Sequence, residues 1–241
     1  MRGEGFRIVT YNVHKCRGID LRTSPARIAD VLLEIDPDVI ALQEILAHGA
    51  ERIDNQVSFI AEELGYKVSL GENRMHRGNA YGNALLTRYD IDHSHNFDLT
   101  VGRRERRGCL LTDVVTDHNQ RIHIYNLHLG TALRERSRQA ERLLGEEILR
   151  REHFGPRVML GDFNEWTRGM PSRLLHSHFH SADPSGHLPR RKTFPGFFPL
   201  MNLDHIYYDY HLRLEHSFVH NSRLSRVASD HLPLVADFTF K

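Results

Sequence analysis

A series of short apolar segments, each stopping in an oxygen- or nitrogen-bearing side chain, is the feature that most narrows what this 241-residue chain can fold into. Asn12 ends VTYN, Glu44 ends VIALQE, and Asn126 and His128 end IYNLH. Asp162 and Asn164 end VMLGDFN, Asp204 and His205 follow MNL, and Asp230 and His231 sit in SDHLPL. A strand that leaves a core into Asp, Asn, Glu or His delivers that side chain to a sheet edge. One such end is ordinary turn chemistry, because Asp and Asn favour turns. A whole set of them, mixing carboxylates, amides and imidazoles, points to one shared pocket.

The rest of the pattern supplies the frame. The run Phe6 to Val13 reads as a strand. SPARIADVLLEI reads as a helix, with Ser24 as N-cap, Pro25 at the first helical position, and Ile28, Val31, Leu32 and Ile35 as its apolar stripe. Residues 38–44 form a buried-strand run, 54–64 a second helix, and 71–82 a Gly/Asn/His-rich loop. Strands follow at 83–89, 91–99, 108–117 and 121–129. The polar stretch 133–153 predicts a long helix, 157–164 a strand, and 170–179 a helix. A Pro/Phe-rich loop spans 184–202, and strands at 203–209, 212–220 and 234–240 finish the chain. About ten strands with interspersed helices predict two stacked sheets covered by helices. No repeat or linker divides the chain, so one domain over residues 1–241 is expected.

Composition excludes several classes. The formal charge of +1 disfavours a polybasic nucleic-acid coat. No apolar run reaches the roughly 18 residues of a membrane span, and the charged N-terminus does not read as a signal peptide. Cys16 and Cys109 form no CxxC pair and read as reduced, buried thiols. A cytoplasmic location follows as the expectation. The 18 histidines are irregularly spaced, and His176, His178, His180, His187, His216 and His220 read as solvated surface.

The donor set narrows the chemistry. Asp, Glu and Asn oxygens suit a hard cation such as Mg²⁺, with Mn²⁺ as a substitute. There is no HExxH, G-x-S-x-G or GxxxxGK[ST], which disfavours a zinc protease, an α/β-hydrolase and a P-loop enzyme. His231, after Asp230, suits acid–base work at neutral pH.

TYNVH, LQE, GNALLTR, NLHL, GDFN, LDHIY and SDHLPL occur in the order found in the endonuclease/exonuclease/phosphatase superfamily, and from residue 6 to 240 the chain resembles that DNase I-like family. The resemblance implies an α+β fold, a four-layer αββα sandwich of two mixed, mainly antiparallel sheets. It implies a metal held by Asn12, Glu44 and Asp230, and catalytic roles for His128, Asp162, Asn164, Asp204 and His231. Asp204 would orient His231, and either Asp162 or His231 would take the proton of the attacking water. The expected activity is metal-dependent phosphoester hydrolysis.

Asn83, Arg107 and Asn126 are candidate substrate-binding residues, and His14 a weaker one on the face of Asn12. Arg103, Arg104, Arg106 and Arg107, and Arg190, Arg191 and Lys192, form basic clusters, while Arg134, Arg136 and Arg138 read as a solvated helix face. The Phe194–Met201 loop runs into Asp204 and could lie at the mouth of the site, its rings touching a lipid chain or a base, or be buried under the sheet edge. The Trp/Tyr-rich DNA-gripping segment of the repair endonucleases is missing before LDHIY; the stretch resembles small bacterial members of unsettled substrate. A lipid or small phosphoester therefore ranks first as substrate, nucleic acid second, and an inactive binding module third. A monomer that touches an anionic membrane surface through residues 194–201 is expected.

Overall fold

The computed structural model describes residues 5–47, 55–145, 148–149, 155–165, 169–182 and 192–241. One sheet is built from β1 (Gly5–Asn12), β2 (Val39–Ala47), β3 (Lys67–His76), β4 (Asn79–Thr87), β11 (Leu212–Val219) and β12 (Leu234–Phe240), in the order β11-β12-β1-β2-β4-β3. The other contains β5 (Asp90–Asp98), β6 (Gly108–Val115), β7 (Arg121–His128), β8 (Arg157–Asp162), β9 (His180–Ser181) and β10 (Asp204–Tyr208), in the order β5-β6-β7-β8-β10-β9. Each sheet has one parallel pair at its centre, β1 with β2 and β7 with β8; the other pairings are antiparallel.

Strand alternation sorts the apolar residues into three layers. On β1, Phe6 and Ile8 face the other sheet, where they meet Leu110, Ile122, Ile124, Val158 and Leu160. Val9 and Tyr11 point the opposite way, onto α1 (Pro25–Ile35) and α2 (Gln56–Leu64). Tyr125, Leu127 and Met159 likewise face away from the sheet interface, toward Leu143 of α3 (Leu133–Leu143) and Leu175 of α4 (Met170–Leu175). This gives the four-layer sandwich expected from the sequence. In α1 the Ser24 side chain accepts from the Arg27 amide at 3.3 Å, and Pro25 opens the helix. Its stripe of Ile28, Val31, Leu32 and Ile35 is buried, worth on the order of 1.5–3 kcal/mol per side chain.

Three local expectations are corrected. The 71–82 segment is not a loop: β3 and β4 run through it as a hairpin, turning at Arg77 (φ 51°) and Gly78 (φ 85°). Two consecutive positive φ values make the turn compatible with the strand twist. The segment is hard to read because β3 lies at the sheet edge and carries polar side chains on both faces. The long helix of 133–153 stops at Leu143, before Gly145; residues 146–147 and 150–153 lie outside the described set. Arg136, expected on a solvated face, is buried, with its guanidinium donating to the carbonyls of Gly130 and Thr131.

Candidate active site

The inward face of each central strand grades from apolar to polar along its length. On β1 the series is Phe6, Ile8, Thr10, Asn12; on β7 it is Ile122, Ile124, Asn126, His128; on β8 it is Val158, Leu160, Asp162. The parallel and antiparallel registers then align His128, Asp162 and Asp204 across three neighbouring strands. Asn12 reaches them from the other sheet, its Nδ2 donating to Asp162 Oδ2 at 3.0 Å.

Asp162 Oδ2 is the focus of the cluster. His128 Nε2 lies 3.5 Å from it and His231 Nε2 3.7 Å. His231 Nδ1 pairs with Asp204 Oδ2 at 2.8 Å, so the carboxylate fixes the ring and its tautomer. Burial alone would depress His231, but the charges of Asp204 and Asp162 outweigh it and push the imidazole up to about 10. His128 moves the other way, down to about 4, because it is buried and Arg107 stands behind it. Arg107 lies 3.1 Å from His128 Nδ1; a guanidinium only donates, so that nitrogen is the acceptor and the proton sits on Nε2, facing the cluster. Asn164 closes this side, its Nδ2 donating to the Leu129 carbonyl at 2.9 Å.

Gly161 explains how β8 can bring Asp162 here. Its φ is 147°, and a Cβ at this position would lie 1.8 Å from the Leu127 carbonyl oxygen. Only glycine permits such an approach to β7.

A second group adjoins the first. Glu44 does not end its strand; β2 continues to Ala47, and a bulge between Leu42 and Ile45 turns the carboxylate toward Asn12. Glu44 Oε1 accepts from Asn12 Nδ2 at 3.3 Å, Oε2 from Lys15 Nζ at 3.2 Å, and the Tyr81 hydroxyl also hydrogen-bonds to Glu44. Burial would raise Glu44, but His128, Lys15 and Asn12 together hold it well below the ordinary carboxylate range. Asp230 lies 3.3 Å from the His14 ring, and Ser229 Oγ donates to the Asn12 carbonyl at 2.8 Å, tying the SDH segment to the end of β1. The strand does not continue to His14, so the condition that would place it on the face of Asn12 is not met: His14, Lys15 and Cys16 have φ values of 45°, 58° and 53°. With Glu44 (φ 56°) and Asn164 (φ 49°), five of the positive-φ non-glycine residues border the site. Each such conformation costs on the order of 1–3 kcal/mol and persists where the surroundings dictate it.

The donor chemistry around Asn12, Glu44 and Asp230 fits a hard divalent cation: carboxylate and amide oxygens with no thiolate. Lys15 serves Glu44 as a counter-charge. Asp162, Asp204 and His231 also bring ligand atoms within 4.8 Å of one another, but there the His231 Nδ1 is already engaged by Asp204.

The three candidate substrate contacts are buried and engaged by other groups of the protein. Asn126 is fully buried between the sheets, donating to the carbonyls of Leu42 and Ala84 and accepting from Gln43 at 2.8 Å. Asn83 donates to the carbonyls of Gly108 and Asn126. Arg107 backs His128 and pairs with Glu105. Gln43, Lys15 and Tyr81 belong to the polar network and were not foreseen. Gln43 directly precedes Glu44, which could have marked it; Tyr81 sits in the segment read as loop.

At the mouth, the Phe194 ring lies 5.0 Å from that of His231, and the Gly196 amide donates to the Asp230 carbonyl at 2.7 Å. Phe197 and Phe198 are 60% and 63% exposed, and Leu200 is exposed too. Arg190 and Arg191 lie outside the described residues. Both cysteines are buried and free, and burial pushes their thiols upward. Among the described residues no helix is long and apolar enough to cross a membrane.

Comparison with known proteins agrees with this architecture. The chain is 30% identical over 244 residues to the uncharacterized protein YbhP of Escherichia coli (strain K12), covering 96% of this chain and 95% of that protein. Among solved structures, an endonuclease/exonuclease/phosphatase from Bacteroides vulgatus superposes with a TM-score of 0.81 at 17% identity, covering 98% of this chain and 99% of the other. The mannosyl-6-phosphatase Bt3783 of Bacteroides thetaiotaomicron VPI-5482 does so with a TM-score of 0.77 at 19% identity, covering 98% and 100%. The profile of the endonuclease/exonuclease/phosphatase family matches residues 9–231, and the chain belongs to that family.

Proposed function

We propose that this protein is a metal-dependent hydrolase of a lipid or small soluble phosphoester, working by direct attack of water. The observation that carries this reading is the convergence of two imidazoles of opposite protonation on Asp162 Oδ2, beside the oxygen donors Asn12, Glu44 and Asp230. Mg²⁺, or Mn²⁺ in its place, would be held by Asn12, Glu44 and Asp230 and would supply charge stabilisation at a phosphoryl oxygen. Asp162, an acceptor at the centre of the cluster, orients the attacking water and takes its proton. His231, cationic beside Asp204, and His128 through its Nε2–H donate to non-bridging oxygens as charge builds there. The Asn164 amide fixes the phosphate against the Leu129 turn.

The test is hydrolysis of bis-p-nitrophenyl phosphate with Mg²⁺ or Mn²⁺, and its loss in EDTA. Absence of metal-dependent turnover across a broad panel of phosphomonoesters and phosphodiesters would instead favour a binding module.

A further inference from the structure

Beside the cluster described above lies a cavity of about 630 Å³, a size suited to small-molecule sites. Lys15, Arg17, His76 and Arg77 line it, with Leu46 and Gln56 at its base, and no carboxylate is among its described lining residues. It is joined to the candidate active site through two side chains. Lys15 reaches Glu44, and the His76 ring lies 5.9 Å from that of Tyr81, which also contacts Glu44. Its floor is fixed. Gln56, almost wholly buried, donates to the Lys15 carbonyl at 2.7 Å and accepts from the Leu46 amide at 3.2 Å.

Two of the three Lys and Arg side chains lining the cavity are not consumed by the described residues. Lys15 has Glu44, but among the described residues Arg17 and Arg77 make no ion pair. Both are exposed at the rim. His76 is depressed by burial and then by Arg74, Lys15 and Arg77, which registers the positive potential inside the cavity. Arg77 occupies the β3–β4 turn and Arg17 follows the left-handed turn of residues 14–16.

We infer that this cavity binds a second phosphate of the substrate, remote from the one being hydrolysed, so that the preferred substrate is a compact molecule carrying two phosphate groups. The inference rests on the hydrolase reading for the position of the scissile phosphate. Its ligand chemistry does not: two guanidinium groups, an ammonium and an imidazole around a small cavity select a phosphate. A polynucleotide would need a longer basic track, which a chain of net charge +1 does not supply.

The experiment uses α,ω-alkanediol bisphosphates of three to eight carbons and the matching monophosphates, titrated by calorimetry in Mg²⁺. At one spacer length the bisphosphate should bind about tenfold or more tighter than the monophosphate. A parallel arm compares cardiolipin vesicles, with two headgroup phosphates, against phosphatidylglycerol vesicles, with one. The variant is Arg17→Gln with Arg77→Asn, the asparagine chosen because position 77 is left-handed. It should erase the two-phosphate advantage and leave bis-p-nitrophenyl phosphate turnover, a one-phosphate reaction, within about twofold. An advantage in the soluble arm identifies a soluble bisphosphate; one in the vesicle arm alone identifies a lipid headgroup. No advantage in either arm, an advantage that survives the double substitution, or an advantage confined to oligonucleotides would overturn the assignment. If binding behaves as expected but no phosphoester is cleaved, the cavity stands and the hydrolase reading fails.

Discussion

Two imidazoles approach the same oxygen of Asp162, and their surroundings drive them apart. The unfolded value for each is about 6.5. His128 in the fold is near 4, so below pH 6.5 the unfolded chain takes up a proton that the native chain refuses, and stability falls as pH drops toward 4. His231 in the fold is near 10, so its stabilisation is complete below pH 6.5 and is lost as pH rises through 10. Melting temperatures in EDTA should therefore peak near neutrality. His128→Gln should flatten the acid limb and His231→Gln the alkaline limb; unchanged limbs would show that the two environments are misassigned. Activity separates two roles. Glu44→Gln should weaken the response to Mg²⁺ while keeping residual rate at high metal. His231→Ala should lose ~10²–10³ in kcat with metal binding intact, the span for removing one donor aimed at developing charge. A His231→Ala enzyme as fast as wild type would remove the SDHLPL motif from the mechanism.

At the level of elements, the bend at β8 depends on Gly161. Gly161→Ala combines a positive φ with a collision against the Leu127 carbonyl, and urea melts should show a loss of at least about 3 kcal/mol. A loss below 1 kcal/mol would mean that β7 and β8 can separate there. Elements are also where the sequence is most unevenly legible. The apolar-to-polar grading of β1, β7 and β8 can be read directly, since period-two alternation and a terminal Asn, His or Asp are local properties. So can α1, through Ser24, Pro25 and its stripe. The β3–β4 hairpin could not be read, because an edge strand has no need of an apolar face. Asn83 and Asn126 stay open in the sequence between site residue and turn or strand-edge support, because nothing local tells an amide at a pocket mouth from one that satisfies carbonyls one pleat deeper. The bulge that carries Glu44 within β2 depends on pairing with β4 and is likewise invisible from one strand.

For the molecule as a whole, Phe197, Phe198 and Leu200 form an exposed apolar lip. Phe197→Ser with Phe198→Ser should leave the melting temperature nearly unchanged, because the rings are more than half exposed. On the lipid reading it should abolish binding to anionic vesicles and spare turnover of a soluble phosphodiester. Retained vesicle binding would exclude the lip as a membrane contact. A last consequence comes from the pairing of β1 with β12, Gly5 opposite Thr239. The strand that supplies Asn12 and the segment that carries Asp230 and His231 are far apart along the chain, with 217 positions between Asn12 and Ser229, yet a hydrogen bond joins them. Bringing such distant segments together carries a loop-closure cost that nearby segments do not. The two halves of the candidate site therefore meet only when this long-range pairing forms, and a partly folded chain has no assembled catalytic centre.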